Sequence, residues 1–317
     1  MIDCITESTH GYTQIPFNEL TAEDVLESFK ADLKLRQLRP HTIESYISDA
    51  RRFLQYNPRL CSVTREDLQH YLQILLNKKL SDSTLKSCFI SLNALYDFLV
   101  YEGHCSENPI PTFRKRYLSR REVKQKRQII PLENARSIIR RISHIQDRTL
   151  HLLYAKSGMR RDEVLILKVD DLQLSRGQIK APVTGKRLEY RPIFLDDELI
   201  KAFNDFLEWR QEYAKSDYLF ISEVTGGKMH KDHPGYTLRK IGAQLGIHNP
   251  DGPLDTRLTP HCWRHFFTTH MHRAKMDPEH IKFLRGDVLT REAWQLYNHI
   301  DLETVREEYL RCAPRLL

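Results

Sequence analysis

Residues 177–195 read Gly-Gln-Ile-Lys-Ala-Pro-Val-Thr-Gly-Lys-Arg-Leu-Glu-Tyr-Arg-Pro-Ile-Phe-Leu, and here the periodicity of the chain changes. On either side, apolar residues recur every three or four positions, as amphipathic helices require. Within the stretch, Gly177–Val183 and Leu188–Leu195 flank Thr184-Gly185-Lys186, the pattern of a β-hairpin turned at Gly185. A helix-rich chain holding one hairpin predicts a mainly α fold with a small antiparallel β-sheet.

Toward the N-terminus, four helices follow from their start signals. Thr21 with Asp24 forms a capping box before Val25, Leu26, Phe29 and Leu33. Pro40 suits the first turn of a second helix with Ile43, Tyr46, Ile47, Ala50 and Leu54 on one face. Thr64 and Asp67 open a third, carrying Leu68, Tyr71, Leu72 and Leu75. Ser81 or Asp82 caps a fourth, carrying Leu85, Phe89, Leu92, Leu95, Tyr96 and Leu99 and ending near Gly103. These define an all-α domain at 21–104, behind a polar leader at 1–20. Pro109 and Pro111 mark a boundary, and 105–128 is expected to be a linker. The second domain, 129–317, begins with helices around Leu132–Ile142 and Thr149–Lys156 and helix-compatible sequence through Arg160–Leu167. Beyond the hairpin it continues with a helix over Asp196–Tyr213 and a short strand at Tyr218–Ser222. Helices at Tyr236–Leu245, Pro260–Arg273, Pro278–Leu284, Arg291–Asn298 and Asp301–Cys312 complete it. Two domains agree with 317 residues at roughly 150 per domain.

The charge balance is basic, with 49 Lys+Arg against 42 Asp+Glu and a net charge of +7. Phe113–Gln128, FRKRYLSRREVKQKRQ, holds eight Lys/Arg and one Glu, a local surplus equal to that of the whole chain. A charge run alone is as well explained by a solvated linker. Concentration of the full surplus between two domains favours a strap on phosphates, where each neutralised phosphate releases condensed counterions. The strap residues are Arg114, Lys115, Arg116, Arg120, Arg121, Lys124, Lys126 and Arg127. Six scattered cysteines without a Cys-x-x-Cys pair exclude a zinc ribbon and a disulfide framework, and predict reduced thiols in a cytoplasm. No stretch is long and apolar enough for a membrane span, no secretory signal opens the chain, and no P-loop is present.

Three islands in the second domain carry chemical promise. Ser157-Gly158-Met159-Arg160-Arg161-Asp162-Glu163 is a glycine turn with an arginine at a helix start. Thr259-Pro260-His261-Cys262-Trp263-Arg264-His265 puts His261 and Arg264 on one helical face. Leu284-Arg285-Gly286-Asp287 is followed ten residues later by Tyr297-Asn298-His299. Singly, each has a plain explanation: Arg160 paired with Glu163, His261 at a helix cap, Tyr297 as one more of fourteen tyrosines.

In this order and spacing the islands resemble the tyrosine recombinases, the phage-integrase-type site-specific recombinases, from about Thr21 to the C-terminus. The family's Thr/Ser-Gly-x-Arg-x-x-Glu box stands as Ser157–Glu163, its His-x-x-Arg-His box as His261–His265 and its Tyr-x-His as Tyr297–His299. Arg39-Pro40-His41-Thr42-Ile43-Glu44-Ser45-Tyr46 and Glu107-Asn108-Pro109 resemble parts of the family's helical, SAM-like core-binding domain. The Arg285-Gly286-Asp287 triplet is similar to that of the archaeal, Xer-like branch. The resemblance implies a catalytic domain behind the core-binding domain, and specific DNA sites as substrate. It also implies a tetramer of this chain on two duplexes, linked by docking of the C-terminal helix onto a neighbouring subunit. That helix carries Leu302, Val305, Tyr309 and Leu310, whose plain alternative is packing on their own domain.

The chemistry suits those residue types. Metal-free cleavage of a phosphodiester needs a nucleophile, neutralised phosphate oxygens and a proton for the leaving alkoxide. A phenol attacks phosphorus once deprotonated, and two fork-shaped guanidiniums can grip the non-bridging oxygens. By resemblance these are Tyr297, with Arg160 and Arg264; His261 is the acid/base partner, and neither metal nor cofactor is called for. The implied product is a 3′-phosphotyrosyl link that conserves the bond energy, so rejoining needs no ATP. Glu163 orients an arginine or the helix turn.

Two positions depart from the family pattern. Val183 stands where the hairpin's catalytic lysine is usual, which leaves Lys186 in the turn or Lys180 on the first strand; Lys186 is preferred because a turn tip reaches into a groove. Asp287 stands where a phosphate donor is usual, and an ionised carboxylate cannot donate and repels phosphate. It either orients Arg285 or a catalytic arginine, or the donor role is missing. Tyr309 is a rival nucleophile, disfavoured by its neighbours Glu307 and Glu308. Three other functions compete: a catalytically impaired DNA-binding protein of the same fold, a type IB topoisomerase sharing the tyrosine chemistry without a specific site, and a metal-dependent nuclease built on His261, His265, His270 and His272. The expected binding mode is a C-shaped clamp, one domain on each face of the duplex and the strap between them.

Overall fold

The structure, a computed structural model, describes residues 21–57, 62–119, 128–182, 190–287 and 301–317. The chain divides into two compact units, Met1–Lys124 and Gln125–Leu317.

The first unit is helical throughout its described residues. Helix α1 (Ala22–Leu35) starts at the expected capping box: the Asp24 amide donates to Thr21 Oγ1 (3.2 Å) and the Thr21 amide to Asp24 Oδ2 (2.9 Å). Helix α2 (Pro40–Leu54) carries Pro40 in its first turn, and α3 (Arg65–Asn77) repeats the box with Thr64 and Asp67. Helix α4 (Asp82–Tyr101) is capped by Ser81. Their stripes meet in one core, with Phe29, Phe53, Tyr71, Leu85, Phe89 and Leu95 at 0 % exposure. This apolar burial, worth about 1.5–3 kcal/mol per large side chain, fixes the bundle.

A fifth helix, α5 (Ile110–Tyr117), lies where the sequence suggested linker. Its reason is local. Asn108 Oδ1 accepts the Ile110 amide (2.9 Å) and its amide nitrogen donates to Asp97 Oδ1 (2.7 Å), so the helix start is tied to α4. Pro109 and Pro111, read as breakers, occupy the N-cap and first turn, where a missing N–H costs nothing. Ile110, Phe113 and Leu118 are buried in the bundle, with the Phe113 ring stacked on Phe89 at 5.3 Å. The first three strap cations, Arg114, Lys115 and Arg116, therefore project from a packed helix. The leader and Arg120, Arg121, Lys124, Lys126 and Arg127 lie outside the described residues.

The second unit opens with α6 (Leu132–Arg141), α7 (Ile145–Ser157) and the short α8 (Arg161–Leu165). Strands β1 (Leu172–Gln173), β2 (Gln178–Pro182) and β3 (Tyr190–Phe194) form an antiparallel sheet in that order. The register pairs Ile179 with Ile193 and Ala181 with Arg191, so these four share one face, and all are buried. The predicted turn Thr184-Gly185-Lys186 lies outside the described residues. Helices α9 (Asp197–Tyr213), α10 (His233–Gln244), α11 (Pro260–Arg273) and α12 (Pro278–Arg285) follow. Residues 218–222 pair only through single bridges, Tyr218 to Lys168 and Ile221 to Lys228, because their backbone is partly taken up by the Gln146 and Arg210 side chains. The helix expected at Arg291–Asn298 lies outside the described residues.

The C-terminal helix α13 (Leu302–Cys312) packs on its own unit rather than presenting its apolar face outward. Val305, Tyr309 and Cys312 are buried with Phe194, Phe267, Met271 and Ile281, leaving Leu302 and Leu310 on the exposed side. Beyond it, Leu316 is fully buried in the main core, and the Leu316 and Leu317 amides donate to the Glu198 carboxylate (3.0 Å each).

Candidate active site

Helix α7 ends at Gly158, whose left-handed backbone (φ 61°) turns the chain directly into Arg160. A Cβ at Gly158 would lie 2.5 Å from the ring of Phe267 on α11, so only glycine lets the two helices approach this closely. Arg160 is the N-cap residue of α8. Its amide donates to Glu163 Oε2 (3.0 Å) and its Nη1 to Glu163 Oε1 (3.0 Å). The plain reading of this pair therefore holds, but it accounts for only part of the guanidinium.

The remainder faces the end of α12. Arg160 Nη1 also donates to the Gly286 carbonyl (3.1 Å), and Arg264 Nη1, from α11, to the carbonyls of Gly158 (2.6 Å) and Arg285 (2.8 Å). The terminal carbonyls of a helix have no partner within it and carry its negative partial charge, which suits guanidinium donors. Beyond them, the Asp287 carboxylate takes all three nearby arginines. Arg160 Nη2 (3.2 Å) and Arg264 Nη2 both bond to Oδ1, and Arg285 Nη1 lies 3.3 Å from Oδ2. Arg264 is nearly buried, and burial, followed by the neighbouring charge of Arg285, pulls its pKa down to about 10, leaving it charged at neutral pH. Arg160 stays about one-third exposed.

One member of this cluster is absent from the sequence reading. Arg191 on β3 is 2 % exposed and donates to Glu163 Oε2 (2.8 Å), the Leu284 carbonyl (2.8 Å) and the Pro182 carbonyl (3.1 Å). It ties the sheet, α8 and the end of α12 together. A Cβ at Gly286 would lie 2.6 Å from its guanidinium. Its phase was the available signal: an arginine in register with inward-facing Ile179 and Ile193 demands a buried carboxylate.

His261 lies exposed in the first turn of α11, one turn before Arg264, with its ring 4.8 Å from that of His265 in an edge-on arrangement. Lys180 is exposed on the sheet face opposite Arg191, its ammonium 4.3 Å from the centre of the Tyr190 ring. Tyr297 and Lys186 lie outside the described residues, as do Val183 and His299. Tyr309 is 1 % exposed, and burial, then Asp196 and Glu198, push its hydroxyl well above the usual phenol range, so it is an inaccessible core tyrosine. Among the described residues no three His, Cys, Asp or Glu side chains gather as metal ligands, so His261, His265, His270 and His272 form no such group.

Residues 125–304 match the model of the Phage integrase family, and residues 26–103 that of the Phage integrase, N-terminal SAM-like domain. The chain belongs to the phage integrase family. It is a site-specific tyrosine recombinase, an enzyme that breaks and rejoins DNA. This recombinase is 26% identical over 312 residues to the tyrosine recombinase XerC of Halalkalibacterium halodurans, covering 94% of this chain and 99% of the relative. To the tyrosine recombinase XerA of Thermococcus kodakarensis it is 26% identical over 292 residues, 90% and 93% of the two chains. Among solved structures, a lambda integrase dimer bound to a COC′ core site shares the fold with a TM-score of 0.68 at 15% identity, over 90% of this recombinase and 81% of that chain. The Tn1549 transposon integrase in complex with transposon right end DNA gives 0.68 at 20% identity, over 92% and 99%. No described helix of the recombinase is long and apolar enough to cross a membrane.

Proposed function

We propose that the recombinase cleaves DNA by attack of the Tyr297 phenolate on a scissile phosphate held by Arg160 and Arg264. A 3′-phosphotyrosyl link forms as the bond to the 5′ oxygen breaks, and that oxygen leaves with a proton as a free hydroxyl. Attack by a new 5′-hydroxyl reverses the step, so no ATP is consumed. His261 serves as acid/base partner and Lys186 as general acid, with Lys180 as the alternative. The observation that carries this reading is the convergence of Arg160 Nη2 and Arg264 Nη2 on a single anionic oxygen, Asp287 Oδ1. Two guanidiniums already aimed at one oxygen in a partly buried site are preorganised for a phosphate, and forked charge-assisted bonds are the strong ones.

The strap, from Arg114, Lys115 and Arg116 through Arg120, Arg121, Lys124, Lys126 and Arg127, contacts DNA phosphates. The working assembly is a tetramer on two duplexes, for which α13 is released from its own unit.

Incubation with a duplex nicked near the cleavage point tests the proposal. A denaturation-resistant protein–DNA adduct should form, persist in EDTA and disappear in Tyr297→Phe. One observation favours a second reading: the Asp287 carboxylate fills the site and Val183 replaces the usual lysine, as a protein that binds without turnover would tolerate. Tight binding with no adduct supports that reading instead.

A further inference from the structure

We infer that the Asp287 carboxylate is an internal stand-in for the DNA phosphate, held between Arg160, Arg264 and Arg285 until a phosphate displaces it. The inference rests on the reading of Arg160 and Arg264 as the phosphate grip. A carboxylate and a phosphate compete for the same guanidinium donors with the same geometry, and both oxygens of Asp287 are engaged by them.

Three features separate a removable occupant from a permanent support. Arg160 and Arg264, unlike Arg285, have other partners among the described residues that hold them in place. Arg160 keeps Glu163 and the Gly286 carbonyl without it, and Arg264 keeps the carbonyls of Gly158 and Arg285. Glu163 is fully buried and shared with Arg191, whereas Asp287 retains about a quarter of its side-chain exposure and can leave toward water. Asp287 also follows Gly286, a left-handed residue after the last turn of α12, so its side chain is carried by a turn rather than by a helix. Arg160, Arg191, Arg264 and Arg285 face only Glu163 and Asp287 in this network, so the site stays positive with the carboxylate in place and still attracts an arriving phosphate.

The consequence is a site that holds its arginines in order while empty of DNA and yields them only to an anion that outcompetes a carboxylate. Inorganic phosphate, titrated calorimetrically into the full-length chain, tests this. Asp287→Asn and Asp287→Ser should each bind phosphate at least tenfold more tightly than the unsubstituted protein, and Arg264→Lys in the same backgrounds should abolish the gain. Equal or weaker phosphate binding by folded variants, or a gain indifferent to Arg264→Lys, overturns the inference. If the variants fold only in the presence of phosphate, the stand-in role is supported; if they fail to fold even then, the carboxylate is a structural cross-link and the inference falls. The nicked-duplex assay on the same variants separates the two levels. A phosphate gain without any covalent adduct removes the tyrosine-nucleophile reading and leaves the stand-in intact.

Discussion

Arg191 Nη2 donates to Glu163 Oε2 across 2.8 Å, with both side chains almost wholly excluded from water. Through Glu163 this bond also fixes Arg160, so a buried strand residue sets the position of an arginine at the start of α8. Removing one partner of a buried pair strands the other charge, at a cost of about 3–5 kcal/mol. Arg191→Met should therefore lower the unfolding free energy of the second unit by roughly that amount. Arg191→Lys should recover little, because one ammonium cannot satisfy acceptors on α8, α12 and β2 from a planar fork. Trp209, Trp263 and Trp294 all belong to this unit, so intrinsic fluorescence in a urea titration reports the change directly.

Gly158→Ala is expected to be far more damaging than an exposed glycine substitution. The new Cβ would be 2.5 Å from the buried Phe267 ring, on a backbone with φ of 61°. A left-handed alanine costs about 1–2 kcal/mol and overpacking of this kind about 1–3 kcal/mol. The Gly158 carbonyl also accepts from Arg264, so the strain should reach that guanidinium. A lowered melting temperature with weakened adduct formation is the expected pair of results; a loss of stability alone would confine the glycine's role to packing.

Much of the helical framework was legible because its signals are local. The Thr21–Asp24 and Thr64–Asp67 boxes and the stripes behind them need only neighbours in sequence, and they mark the helix starts. The hairpin was legible from the change of period around Gly185. Helix α5 was not, because Pro109 and Pro111 are ambiguous as letters: proline stops a helix from inside it and suits one at its start. Arg160 and Arg264 could be singled out from their boxes, but their meeting at Asp287 depends on where the end of α12 falls, which no local spacing encodes. The family pattern marked Asp287 as a departure and offered Arg285 or a catalytic arginine as its partner; that three guanidiniums share it at once was not encoded.

Replacing Arg114, Lys115 and Arg116 by glutamine should weaken DNA binding equally on specific and unrelated duplexes. Helix α5 is anchored by Ile110 and Phe113, so the substitutions remove charge without loosening the bundle. For every phosphate that is no longer neutralised, the slope of log K against log salt becomes shallower by about 0.9, and removal of all three cations should flatten it by about 2–3. Binding isotherms at several salt concentrations give the slope. An unchanged value would mean that these cations face solvent rather than DNA.

Acid should destabilise the second unit through His151. The ring is fully buried and its pKa is pushed down from 6.5 to about 4, chiefly by burial, with the nearby Asp147 charge opposing. Its Nδ1 accepts from Trp263 Nε1 (3.0 Å), so the neutral ring carries its hydrogen on Nε2, which has no hydrogen-bond partner among the described residues. Between the two pKa values the unfolded chain binds a proton that the folded chain refuses. Stability is therefore complete above about pH 6.5 and declines as pH falls toward 4, by about 3 kcal/mol in all. His151→Asn keeps an acceptor for Trp263 but cannot titrate. It should be less stable than the unsubstituted protein at pH 7.5, through poorer packing, and that difference should shrink or reverse by pH 4.5. The carboxylates that titrate in the same range act on both proteins and cancel in the comparison. Parallel stability profiles for the two would assign the acid sensitivity to groups other than this imidazole.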